Sequence, residues 1–384
     1  MLDDSSNGQF LLRRRFPVLR IFESAGLALS PASLVIATIV SVLLGFVSTS
    51  LDGVLIPEAT IKRGSAIGER WPRVLSSISG LEVAPNASLS TPWSTVARPL
   101  VFSVTTSQGI DARFSGVVRF ALAFSAGTLV GLILCRRSAL FFLGDDESTL
   151  PQSIDFGIRH WGAALAAPLI PVAAAMLIGL FVSLFSLPGF LSYIGPAWLY
   201  ATTPVTALMG FGLAVLLLAA LFGWPIMVAA IAVDNCDSFG GLSRAYSVLT
   251  GRPWQVIGYL LASTFIGLIL MFVVRVFGDM TIWCAMSAAV IGCGETAARR
   301  SLMMPLTWIV REVEGGAALS FFWSAATVIY LFLRQDVDGI PLDHVASEVS
   351  PQSVRDPLPV VGIPATDSQT LKNGQGSDEV RNDQ

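Results

Sequence analysis

Runs of about twenty mostly apolar residues recur along this chain, and a helix of that length crosses a hydrocarbon layer about 30 Å thick. Six such runs are expected to span, at about 32–55, 116–134, 162–187, 205–233, 255–277 and 317–333. Composition points the same way. Of 384 residues, 53% are hydrophobic and 13% charged, with a mean hydropathy of +0.68. A soluble domain carries about 25% charged residues. The implied class is an all-α integral membrane helical bundle with about six transmembrane helices, in contact with membrane lipids.

The segments between the runs complete the layout. Residues 1–31 form a polar lead with Arg13, Arg14, Arg15 and Arg20. Arg13-Arg14-Arg15-Phe16 resembles the core of a twin-arginine export signal, but further spans follow and no A-x-A cleavage site is present. The arginines therefore read as positive anchors and the first span as a signal anchor that stays. Residues 56–115 are polar and turn-rich, too long for a plain connection, and are expected to form an external segment. Gly127 and Gly131 put two small residues on one helix face, a pattern that permits close helix approach. Pro168 and Pro171 are expected to kink the third span. The connection 188–204 has no charge and holds Phe190, Tyr193, Trp198 and Tyr200, as an interfacial belt would. The stretch 281–310 contains apolar pieces too short to span and is expected to be interfacial or re-entrant. Beyond Arg334 the chain turns acidic and rich in Pro, Ser and Gly, so 335–384 reads as a disordered cytoplasmic tail. Six spans and arginine-flanked ends put both termini in the cytoplasm. Cys284 and Cys293 would lie outward. They would bridge if the chain turned there, but not if the stretch is helical.

Much chemistry is excluded. A net charge of −3 and the lack of a basic, aromatic-interleaved patch argue against nucleic acid. Four scattered cysteines and two distant histidines, His160 and His344, make no zinc site. No P-loop, G-x-G-x-x-G, G-x-S-x-G or H-E-x-x-H pattern occurs, so no cofactor, metal or catalytic residue is expected and the chain is not read as an enzyme. Asp336-Val337-Asp338-Gly339 overlaps part of a calcium loop, but Asp343 and Glu348 are out of register for it. The middles of the expected spans hold no ionisable group. Arg119 and Arg275 fall near span ends, and Arg275 and Asp279 are spaced to pair on one face.

One polar and aromatic stretch, 234–254, separates the fourth and fifth apolar runs. Asp237 or Ser238 is suited to cap a helix. Phe239, Leu242, Tyr246 and Leu249 follow at helical spacing, and Gly251 and Pro253 end the helix. It is expected to be an amphipathic helix on the cytoplasmic surface. Arg244, Tyr246, Arg252 and Trp254 are the candidate interfacial or partner-docking residues, with the two arginines suited to an anionic leaflet.

Asp237-Ser238-Phe239, Leu242 through Ser247 and Arg252-Pro253-Trp254, together with 324–339, resemble signatures of a family of uncharacterised bacterial multi-pass membrane proteins. Gly240-Gly241 departs from that pattern, which suggests a less firm helix start. The resemblance implies a bacterial cytoplasmic membrane location and no particular activity. The function expected from these features is a non-enzymatic scaffold or accessory component of the cell envelope, with a protein partner at the cytoplasmic face. A transporter or lipid-handling protein is the alternative, motivated by the proline-containing third and fourth spans.

Overall fold

The computed structural model describes residues 24–55, 96, 110–142, 150–296 and 301–338. The expected N-terminal lead up to residue 23, nearly all of the external segment, Arg299, Arg300 and the acidic tail from residue 339 lie outside the described residues. All described residues belong to one compact unit, Met1–Val349.

This unit is all-helical among its described residues. Seven α-helices follow in order: α1 Pro31–Leu55, α2 Ile110–Phe142, α3 Leu150–Phe185, α4 Gly195–Asp234, α5 Ser238–Gly251, α6 Pro253–Cys293 and α7 Met303–Asp338. A short 3-10 turn, Leu187–Phe190, joins α3 to α4. Five helices (α2, α3, α4, α6 and α7) are long and apolar enough to cross a membrane, and α1 is an apolar helix of 25 residues. The chain is a multi-pass helical membrane bundle.

Several boundaries differ from the apolar runs. α4 begins at Gly195, well before 205, because Pro196 occupies its first turn, where its missing N–H costs nothing. α3 and α4 continue through Pro168, Pro171, Pro204 and Pro225. The largest difference is at α6. Residues 281–292 are not a separate re-entrant piece but the last third of one helix of 41 residues. Likewise 303–310 is the opening of α7. The charges that seemed to end the fifth span, Arg275 and Asp279, pair with each other as expected and also across to α7, so the helix tolerates them in its interior. Cys284 and Cys293 therefore sit about 13.5 Å apart along one helix axis. A disulfide needs Cα atoms closer than about 7 Å, and both thiols are free.

The core lies where α2, α4 and α7 meet. Every residue from Gly223 to Val233 of α4 is buried. Trp224 stands edge-on to Trp323 of α7, with centroids 5.3 Å apart at 89°, and donates to Thr128 Oγ1 at 3.3 Å. Gly131 makes this fit: a Cβ there would lie 2.5 Å from the Trp323 ring. The small-residue face of α2 thus receives aromatic rings from the same chain.

Candidate functional site

The expected amphipathic helix exists as α5. α4 ends at Asn235, whose φ of 51° is left-handed and turns the chain out of the helix. Asp237 then caps α5, accepting from the Gly240 N–H at 2.8 Å. The glycine pair does not delay the helix. Gly241 instead allows contact, since a Cβ there would lie 2.6 Å from Ile231 Cγ1. The buried stripe is Gly241, Ala245 and Val248, with Leu242, Tyr246 and Leu249 at its flanks. Phe239, expected on that face, points outward at 66% exposure, one turn ahead of where α5 reaches α4.

At the joint between α4 and α5 lies a buried ionic knot. The Asp234 side chain is 1% exposed and pairs with Arg244 of α5 and Arg334 of α7. Tyr330, one turn before Arg334, donates its hydroxyl proton to Asp234 Oδ2. Two guanidinium charges and one phenol hydroxyl on one carboxylate offset the loss of its hydration, which a buried charge cannot otherwise sustain. Alongside, Arg136 of α2 donates to the Ala232 carbonyl at 2.9 Å, and Tyr259 of α6 donates to Asp336 at 3.1 Å. The stretches 234–254 and 324–339 meet at this knot.

The four candidate docking residues divide. Arg244 turns inward to Asp234. Burial works against its charge, but Asp234 more than compensates and holds the guanidinium above its ordinary pKa. Tyr246 packs against the core, and burial raises its phenol. Arg252 and Trp254 stay outward at the junction of α5 and α6, Trp254 being 83% exposed. Cys236, in the same turn, has its thiol pushed up first by burial and then by the Asp234 charge. No protein-family model, curated protein or solved structure matches the chain.

The expected Arg275–Asp279 pair is part of a larger ionic cluster. Arg311 of α7 donates to Glu314 at 2.5 Å and to Asp279 of α6 at 2.6 Å. Arg275 flanks both carboxylates at 3.9 Å. Glu314 is 2% exposed and rests on Gly278, which leaves room for its carboxylate. These groups lie within the helices α6 and α7, at or beyond the ends of the expected spans 255–277 and 317–333.

Two signals for these sites were present in the sequence. Tyr330 and Arg334 are four apart and share a helix face. Asp234 is the first charged residue after Arg159, at the end of a long uncharged run. Among the described residues no group of His, Cys, Asp and Glu is arranged to hold a metal ion.

Proposed function

We propose that the protein is a non-enzymatic multi-pass component of the bacterial cytoplasmic membrane, a scaffold or accessory subunit that offers an apolar, membrane-embedded face to a protein partner. Uneven burial of its helices carries this reading. Of the most apolar eighteen residues of α7, 89% are buried within the bundle, but only 6% of those of α4 are. α4 with α3 thus forms a hairpin, free of Asp, Glu, Lys and Arg from Trp161 to Val233, attached to the bundle mainly by its Trp224–Val233 end. The polar groups that first suggest a reactive centre, Asp234 and Arg244, are engaged in holding α5 to the bundle.

The positive-inside rule supports both termini facing the cytoplasm. Arg136, Arg244 and Arg334 gather at the knot, and Arg137, Arg159 and Arg252 lie on the adjoining helix ends. On this reading Arg252 and Trp254 supply the cytoplasmic part of a partner contact, and Arg244 and Tyr246 position them. The test is affinity purification of the detergent-solubilised protein, with identification of what co-purifies. A defined protein companion, lost on Arg252→Ala with Trp254→Ala, is expected. Recovery of the chain alone, with bound lipid or solute, would count against a scaffold.

The second reading is a transporter or lipid-handling protein, favoured by the Arg275, Asp279, Arg311 and Glu314 cluster. Ionisable groups within membrane helices mark solute or ion pathways more often than not. Solute or lipid movement in reconstituted vesicles, abolished by Glu314→Gln, would establish it in place of the first.

A further inference from the structure

Of the described α-helices, only α3 and α4 hold prolines beyond their first turn: Pro168 and Pro171 in α3, Pro204 and Pro225 in α4. A proline has no N–H. The carbonyls of Ala164, Ala167 and Leu221, one turn before Pro168, Pro171 and Pro225, therefore receive no α-helical hydrogen bond, and each proline ring crowds that turn. A helix bends most readily where its ladder is interrupted in this way.

These three prolines stand at a border. On α3 the buried residues end with Pro168, Pro171 and Ala175. On α4 they resume at Ala220 and are continuous from Gly223 to Val233. Between 176 and 219 only Gly195 and Thr202 are buried. The prolines are also level with one another. Leu213 of α4 lies against Gly179 of α3. By the helical rise, Pro168 is about 17 Å below that contact on α3 and Pro225 about 18 Å below it on α4.

Below the border the hairpin is fixed. Gly157 of α3 sits on Ile133 of α2, and Trp224 is held by Trp323 and Thr128. Above it the two helices brace each other. Trp198 Nε1 donates to the Phe185 carbonyl at 3.1 Å, the two rings lie 5.6 Å apart, and Leu199 covers Gly189. Pro204, the fourth proline, belongs to this braced part.

We propose that α3 and α4 share a hinge at Pro168, Pro171 and Pro225, about which residues 176–219 swing as one body on a fixed base. The hinge goes beyond the scaffold reading and can fail without affecting it. If a protein partner does bind the apolar face of the hairpin, its binding sets the hinge angle.

The test is pulsed electron paramagnetic resonance on the full-length protein in lipid nanodiscs. Cys236, Cys284 and Cys293 are replaced by serine, and the buried Cys135 stays. Nitroxides on Ile158→Cys and Ser192→Cys span the hinge, and nitroxides on Ser192→Cys and Ala214→Cys both lie on the swinging part. All three positions are exposed. The distance distribution across the hinge is expected to be about twice as broad as the other, as for a hinged body measured against its base. Replacing Pro168, Pro171 and Pro225 together by alanine restores the missing donors and narrows it to the width of the second pair. Pro204→Ala leaves it unchanged. A distribution across the hinge as narrow as that of the second pair, measured with all prolines in place, would overturn the proposal. So would a breadth that survives the triple replacement. The first of these outcomes needs no proline variant, so poor folding of the triple variant leaves the test intact.

Discussion

Asp234 and Arg334, at the far ends of α4 and α7, form an ion pair in which the two side chains are 1% and 6% exposed. Arg244 and Tyr330 close on the same carboxylate. One residue therefore ties three helices, and the stretches 234–254 and 324–339 are parts of one object.

Asp234→Asn should be among the most damaging substitutions in the chain. It leaves Arg334 charged and buried without its carboxylate, at a cost of about 3–5 kcal/mol for a broken buried pair. Thermal unfolding of the detergent-solubilised protein measures this. Arg244→Met should be milder, because the Arg244 side chain is 45% exposed and water can compensate. Equal losses from the two would show that the knot does not work as described.

Gly131→Ala should destabilise by about 1–3 kcal/mol through overpacking, since the new methyl would lie 2.5 Å from the Trp323 ring. Gly127→Ala is the control. Its methyl would meet only Trp224, at 3.9 Å, which is ordinary contact. A second change, Trp323→Leu, should recover part of the loss at Gly131 and none in the Gly127 background.

How much of this was legible in the sequence differs from place to place. Asp237 as a cap and Gly251-Pro253 as a stop are local chemistry, and α5 runs between them as expected. Helix-length apolar runs gave the class for the same reason, because each residue is judged by its own neighbours. That the helix runs on past 277 was not legible because Arg275 and Asp279 look like a boundary until Arg311 and Glu314 are brought beside them from another helix. Phe239 was assigned inward because a period cannot say which of two adjacent stripes meets a partner. Gly241, by admitting Ile231, settles that choice in space.

Gly241→Leu should lift α5 from α4. Its new side chain would occupy the space of Ile231, whose Cγ1 is 2.6 Å from the first added atom. Local opening of a surface helix exposes it to proteolysis in proportion to the opened population. Trypsin cleavage after Arg244 should rise several-fold, with the thermal midpoint moving less than in Asp234→Asn. Unchanged cleavage would mean that α5 is held by the Arg244 pair alone.

The thiols offer a test without mutation. Cys284 and Cys293 should remain unbridged under mild oxidation, as read by intact mass under non-reducing conditions. Cys236 should alkylate slowly at neutral pH and faster as pH rises, because burial and the Asp234 charge hold its proton. The sign for stability follows. The folded state binds this proton more tightly than the unfolded chain does, so the contribution is fully present below the unfolded pKa. It is lost as pH rises through the higher, folded one. Rapid alkylation of Cys236 at neutral pH would contradict the burial described here.

The near-contact of Gly316 with Thr38 bears on how the chain is made. α1 emerges from the ribosome before the other described helices and α7 after them, yet a Cβ at Gly316 of α7 would lie 2.9 Å from the Thr38 amide nitrogen of α1. During synthesis the first span waits in the bilayer without its seat, and early segments cannot complete contacts that later ones provide. Every stalled or shortened chain lacking α7 thus carries an undocked first helix. A cell's membrane quality control could recognise unfinished copies by that helix alone.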